Sequence, residues 1–339
     1  MKANMKQWMN DLLTAKEKKA MPVLSFPSIS LMNIGVDELI KDSSIQAKGM
    51  KMIADRVPSA ASVSMMDLSV EAEAFGASVR FAPDEVPSVT EPLVSDSAAA
   101  DALTVPTLEA GRIPICVEGI RLAAEKITDK PVLAGMIGPF SLAGRLIDVT
   151  EIMYLCYDDP QTVHTVLKKA TAFLIEYAGT FRRAGASGII MAEPLTGIMS
   201  PDLASKFSVP YVKEVIDAVQ NEDFSVIYHN CGNAVCDMAD EIFSQGAAAY
   251  HFGDAVAIER MLEKAPQDTF CMGNIPPVEQ FVNGTPDSMT LAVNELLDRC
   301  EKYPGFVISS GCDIPIKAKW ENIDAFFKAV GEWRPKDQK

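Results

Sequence analysis

Three side chains far apart in the chain, His229, Cys231 and Cys312, are of the types that hold a soft divalent cation. In His229-Asn230-Cys231 the imidazole and the thiol are two residues apart, so on a strand they point the same way and can grip one ion. Cys312 follows another apolar run, in Ser309-Ser310-Gly311-Cys312-Asp313. One imidazole and two thiolates suit Zn²⁺, at about 2.0–2.1 Å for nitrogen and about 2.3 Å for sulfur. Three protein ligands are the pattern of a catalytic zinc, and their two negative charges cancel that of the ion. A substrate thiol bound there loses its proton yet stays nucleophilic, which favours alkyl transfer to sulfur over hydrolysis. The competing reading is that these cysteines simply fill the core, as free cysteines commonly do. That reading is preferred for Cys116, Cys156, Cys236 and Cys300, in loops or helices, and for Cys271 in mid-strand. His164, within a helix, and His251, near a strand end, are read as hydrogen-bonded structural histidines.

A (β/α)8 barrel would bring the three ligands together. Eight short apolar runs recur: 22–26, 62–67, 131–138, 188–194, 225–230, 247–253, 269–274 and 306–311. Their continuous apolar character fits strands buried on both faces of a parallel sheet. Helix signals fill the gaps: Asp159-Pro160 and Ser200-Pro201 as starts, Gly185 and Gly246 as stops. Repeated strand–helix units give an α/β fold, read as a TIM barrel forming a single domain over 1–339. An N-terminal helical extension (1–20) precedes it, and a long insertion (about 68–130) after the second strand lies at the barrel mouth. A doubly wound open sheet is the alternative, but the glycine cluster 135–144 lacks G-x-G-x-x-G spacing.

Catalytic groups in such barrels sit at the carboxyl ends of the strands. The fifth and eighth runs end in the candidate ligands, so closure places all three on one rim. Asp67, Asn230, His251, Asn274 and Asp313 also occupy strand ends. Glu193 ends the fourth run and is expected to face the mouth, as a resting zinc ligand, a partner of a ligand, or a helix cap. Glu71 and Glu73 are either site carboxylates or an exposed helix face, the face being preferred for one of them.

Composition narrows the partners. The 339 residues carry 31 Lys+Arg against 46 Asp+Glu, a net charge of −15. Nucleic acid and anionic membranes need a basic surface, so neither is expected as a partner. No apolar run is long enough to span a bilayer, and the charged N-terminus is unlike a secretory signal. Seven cysteines, an odd number, fit a reducing compartment, and a soluble cytoplasmic protein is expected.

The chain resembles the uroporphyrinogen decarboxylase superfamily from about Ala61 to Val330, and within it the methylcobamide:coenzyme M methyltransferases. The resemblance rests on SMMDLSVEAEAFG (64–76), GPFSLAG (138–144), IMAEPLTGIMSP (190–201), YHNCGN (228–233), GNIPPVEQFVNGTP (273–286) and SSGCDIPIKAKWENIDAF (309–326). It implies a (β/α)8 barrel, zinc on His229, Cys231 and Cys312, and methyl transfer from methylcobalamin or another methylated corrinoid to a thiol such as coenzyme M. The corrinoid would be carried by a partner protein. Gly138, Pro139, Phe140 and Asn274 would then wall the corrinoid site, and Asp67 or Glu193 would steer the acceptor or a proton. Arg145 and Lys317 are candidate cations for a sulfonate, or else solvated surface charges.

One departure argues against decarboxylation. The decarboxylases' arginine-rich R-Q-A-G-R-Y segment corresponds to residues 22–35 here, which contain no arginine. Asp67 does match the decarboxylases' pyrrole-binding aspartate, while their G-H-G becomes Gly311-Cys312-Asp313. The remaining alternatives are demethylation of a small O-, N- or S-methyl substrate onto Co(I) corrinoid, a decarboxylase-like protein without that activity, and a non-catalytic binding barrel.

Overall fold

The computed structural model describes residues 4–15 and 17–335. Among these residues nine strands occur in chain order. They are β1 (Ser62–Val63), β2 (Val79–Ala82), β3 (Glu85–Val89), β4 (Val132–Ile137), β5 (Gly188–Ala192), β6 (Ser225–Asn230), β7 (Ala249–Phe252), β8 (Phe270–Ile275) and β9 (Phe306–Ser310). β1 and β4–β9 form one parallel sheet, each strand beside the next in sequence. β2 and β3 form a separate antiparallel hairpin.

The eighth stave is the stretch from Ala20 to Ser25, which closes the curl between β9 and β1. Ala20 bridges Ile308 in parallel. The Met21 N–H donates to the Ile308 carbonyl (3.0 Å), and the Ala60 N–H on the other side donates to Ala20 (2.9 Å). This run does not form a full ladder. Pro22 has no N–H to offer, and two serine hydroxyls replace backbone partners: Ser309 donates to the Met21 carbonyl (2.8 Å) and Ser310 accepts from Val23 N–H (3.1 Å). The fold is a (β/α)8 barrel.

Alternate residues on every stave point inward and fill the barrel with Val23, Val63, Leu133, Ile190, Ile227, Ala249, Met272 and Val307. The amino-terminal end of the barrel is plugged by the helix Met5–Thr14, which lays Met5 and Met9 into that cluster. Asn4 caps this helix through Gln7 N–H (2.8 Å), and the Trp8 indole N–H reaches the Ala60 carbonyl (3.2 Å). Of the helical extension expected over 1–20, residues 1–3 and Lys16 lie outside the described residues.

The helix starts fall where the sequence signals put them. Asp159 caps Pro160–Arg183 through Thr162 N–H, and Ser200 caps Pro201–Phe207 through Leu203 N–H. Gly185 and Gly246 follow their helices with φ of +102° and +80°, in the left-handed region that glycine enters freely. The segment 68–130 divides: its last part, Ile113–Lys126, packs against Ser43–Arg56 as a regular outer barrel helix. Only the part before it, with the hairpin and the short helix Ser97–Ala102, is extra to a barrel.

Candidate metal centre

The polar site grows directly out of the apolar interior. On β6, β7 and β9 the inward residues Ile227, Ala249 and Val307 are followed, two positions nearer the mouth, by His229, His251 and Ser309. The same pleat that buries the aliphatic layer therefore raises a polar layer above it. Cys231 lies just past the end of β6 and Cys312 just past β9, both half-buried.

His229 Nε2 and Cys312 Sγ are 3.6 Å apart. The imidazole and both thiols offer ligand atoms that all lie within 4.8 Å of one another. A tetrahedral ion with bonds of about 2.0–2.1 Å to nitrogen and about 2.3 Å to sulfur spans roughly 3.6 Å between those two atoms. Donor set and spacing both fit zinc. The thiols also interact: Cys231 is acidified, chiefly because Cys312 donates a hydrogen bond to its sulfur, and Cys312 is pushed up for the same reason. The pair readily gives up one proton and holds the second, which a cation would displace.

The loop carrying Cys231 is fixed from its outward side. Asn230, between His229 and Cys231, donates to the Glu193 carbonyl (2.9 Å) and the Tyr228 hydroxyl (3.0 Å), and accepts from Gly232 N–H (2.9 Å). Gly232 lies directly on the backbone of Gly197, where a Cβ on either residue would collide with the other's main chain. That contact explains the glycines in TGIMSP and HNCGN.

Behind His229 stands His251. Their Nδ1 atoms are 2.7 Å apart, and His251 Nε2 is 2.7 Å from Ser309 Oγ. Burial, above all, holds His251 well below the ordinary histidine range. Hydrogen bonding was expected of His251, but the identity of its partner was not. The readable signal was its position: His251 faces His229 in the β6–β7 register.

The remaining candidates are placed elsewhere. Asp67 is fully engaged, accepting from Ser69 N–H (3.0 Å) and Ser69 Oγ (2.6 Å) and pairing with Arg112. Arg112 also donates to Glu73 (2.6 Å) and Ser69 Oγ (2.8 Å). Arg112, 45 residues from Asp67, carries no sequence signal. Glu73 is the more exposed of the two neighbouring glutamates. Glu71 is buried with its Oε2 unpartnered, accepts from Ile137 N–H (3.0 Å), and is pushed up to about 7 by burial.

Glu193 does not face the mouth. Its carboxylate turns outward to accept from Ser141 N–H (3.0 Å) and Thr196 Oγ (2.6 Å), so it caps the helix Pro139–Ile147. Burial pushes it up to about 7, against those hydrogen bonds. Gly138, Pro139 and Phe140, expected as walls of a corrinoid site, are instead the buried entry to that helix. Phe140 is wholly inside the core, because the helix packs its first turn inward against the sheet. A Cβ on Gly138 would strike the Glu193 side chain. Asn274 is buried and donates to the carbonyls of Gly253 (3.0 Å) and Val256 (2.8 Å). Gly253 packs on the Cα and Cβ of Cys231, so Asn274 supports the loop that carries Cys231.

Asp313 turns its carboxylate toward the N–H groups of Met66 and Ile314, and burial pushes it up to about 8. Arg145, half-buried, lines a cavity of about 170 Å³ with Met66, Leu68, Ser69 and residues of the hairpin. Lys317 is exposed. A larger groove of about 720 Å³ lies at the opposite end of the barrel beside Trp8 and Arg183, remote from His229, Cys231 and Cys312. Among the described residues no helix is long and apolar enough to cross a membrane.

Comparison with known proteins follows the same lines. The family described as uroporphyrinogen decarboxylase (URO-D) matches residues 20–333, beginning earlier than the resemblance legible in the sequence. A methylcobamide:CoM methyltransferase, MtbA of Methanosarcina acetivorans, is 26% identical over 79% of this chain and 78% of its own. A uroporphyrinogen decarboxylase of Carboxydothermus hydrogenoformans is 25% identical over 80% and 78%. A solved methyltransferase from Methanosarcina mazei superposes with a TM-score of 0.85 at 23% identity, covering 97% of this chain and 98% of that one, and shares the fold.

Proposed function

The chain belongs to the uroporphyrinogen decarboxylase family, and within it we propose a zinc-dependent methyltransferase that moves a methyl group from a methylated corrinoid, carried by a partner protein, to a small thiol such as coenzyme M. The observation that carries this reading is the convergence of His229, Cys231 and Cys312, with Cys312 Sγ 3.6 Å from His229 Nε2. Two thiolates and a neutral imidazole would hold Zn²⁺ with no net charge. Bound there, the metal would lower the pKa of the acceptor thiol while leaving its sulfur electron-rich. The overall transfer forms a sulfur–carbon bond and breaks the cobalt–carbon bond, whose electron pair stays with the cobalt.

The protein's own groups bind and orient. His229 presents Nε2, and the two cysteines surrender their shared proton. Asn230, Asn274 and the Gly197–Gly232 contact hold Cys231 in place. Asp67 and Glu193, engaged with Arg112 and with a helix end, act as supports of the mouth. Arg145 is the cation best placed to meet an anionic tail on the acceptor, because it borders a cavity whose wall, Met66, also contacts Asp313 beside Cys312.

Decarboxylation of a polycarboxylate porphyrinogen is disfavoured. Residues 22–35 carry no cation, and the buried Arg112 is already neutralised by Asp67 and Glu73. The names of the Methanosarcina relatives support the direction of transfer.

The test combines zinc quantitation with an acceptor screen. Purified protein should contain about one zinc per chain and convert methylcobalamin plus thiol to a thioether detectable by mass spectrometry. Cys312→Ala should lose both metal and turnover. Undiminished zinc in that variant would refute the assignment.

A further inference from the structure

The chain of contacts behind His229 has a direction, and that direction is set by a backbone carbonyl at its far end. Ser309 Oγ lies 2.8 Å from the carbonyl of Met21, which can only accept, so the hydroxyl must donate there. Its oxygen then accepts from His251, whose Nε2 is 2.7 Å away and must carry the ring proton. With that proton on Nε2 and only a hydroxyl and an imidazole as its side-chain hydrogen-bond partners, the wholly buried His251 ring offers a lone pair at Nδ1. The neighbouring Nδ1 of His229, 2.7 Å away, must therefore be the donor. With its proton on Nδ1, His229 has its only free lone pair on Nε2, the atom that faces Cys312.

We propose that His251 is the positioning residue of the centre: together with Ser309 and the Met21 carbonyl it fixes His229 as the Nδ1–H tautomer and so commits Nε2 to the metal. This rests on reading His229, Cys231 and Cys312 as ligands, but the tautomer itself exists whether or not zinc binds. An imidazole whose second nitrogen is held by an acceptor is better oriented and more basic than a free one. The device also ties the site to the closure of the barrel. The stave from Ala20 to Ser25 and strand β9 supply the carbonyl and the serine, β7 the relay and β6 the ligand. It gives a physical reason for a polar column where a barrel interior is otherwise aliphatic.

The chain has only three histidines, so the tautomers can be read individually by ¹⁵N–¹H correlation of the imidazole rings in zinc-free protein. The wild type should show His229 protonated on Nδ1 and His251 on Nε2. His251→Phe removes the acceptor and should let His229 populate the Nε2–H form. Zinc affinity, measured by chelator competition, should fall roughly 10–100-fold. His251→Gln keeps an acceptor and a donor on one side chain and should recover most of the affinity. Ser309→Ala, a smaller change, should loosen the tautomer preference and decides the matter if His251→Phe does not fold. His229 found as Nε2–H in the wild type would overturn the proposal, as would a folded His251→Phe variant that binds zinc as tightly as the parent. Failure of zinc to bind any form, with the tautomers as stated, would instead count against the metal reading alone.

Discussion

Arg112→Met isolates the structural work of Asp67, the residue whose position also matches a decarboxylase aspartate. In the parent both side chains are buried, at 5% exposure for Arg112 and 1% for Asp67. The guanidinium also holds Glu73 and Ser69 and stacks 5.0 Å from the Phe81 ring centroid. Removing it leaves Asp67 buried with only the two Ser69 hydrogen bonds. Breaking one side of a buried pair costs about 3–5 kcal/mol, and those remaining bonds place this site at the low end, roughly 3 kcal/mol. At roughly 2 °C per kcal/mol for a chain of this size, Tm should fall by about 6 °C. Adding Asp67→Asn removes the stranded charge, so the double variant should regain roughly 2 kcal/mol over Arg112→Met. The assay is thermal and denaturant unfolding of the four members of the cycle, with methylcobalamin turnover recorded alongside. A loss under 1 kcal/mol in Arg112→Met, or a double variant as unstable as the sum of the singles, would refute the ion-pair argument. Turnover abolished by Asp67→Asn in an otherwise stable protein would make Asp67 a catalytic residue after all.

Glu71 predicts a pH dependence. Its folded carboxyl keeps a proton to about 7 while the unfolded chain releases it near 4.5. The contribution of Glu71 to folding stability is therefore full below pH 4.5 and is lost as pH rises through 7. At about 1.4 kcal/mol per pH unit the loss is roughly 3 kcal/mol. Glu71→Gln should lessen the slope of the stability profile between pH 4.5 and 7, where buried Glu193 and Asp313 still contribute, and an unchanged slope would contradict the burial argument. Gly232→Ala drives a methyl into the Gly197 backbone; it should cost about 1–3 kcal/mol and weaken zinc binding by displacing Cys231. A variant with full zinc affinity would show that the loop is not held by that contact.

The barrel was legible because its staves are continuous apolar runs bounded by glycine, proline and capping residues. The first stave read as a strand yet forms one bridge, since Pro22 and two serines replace the ladder, a tertiary substitution that no local pattern records. The convergence of His229, Cys231 and Cys312 was legible because H-x-C and a later cysteine both fall at strand ends. What surrounds it was not. The turn of Glu193 toward a helix end depends on Ser141, 52 residues away, and the pairing of Asp67 depends on Arg112. GPFSLAG looked like a surface of the mouth because its shape is distinctive; Phe140 and Gly138 show that the distinction serves packing. His251 lay one strand over in register with His229, a relation that could have been drawn once the strands were aligned.

The most direct measurement is X-ray absorption at the zinc edge of the purified protein, before and after adding a thiol acceptor. The account predicts two sulfur ligands at about 2.3 Å and a nitrogen at about 2.0–2.1 Å, with a third sulfur entering on addition of the thiol. A zinc shell of nitrogen and oxygen alone, or one whose sulfur count is unmoved by an acceptor that the protein methylates, would contradict it.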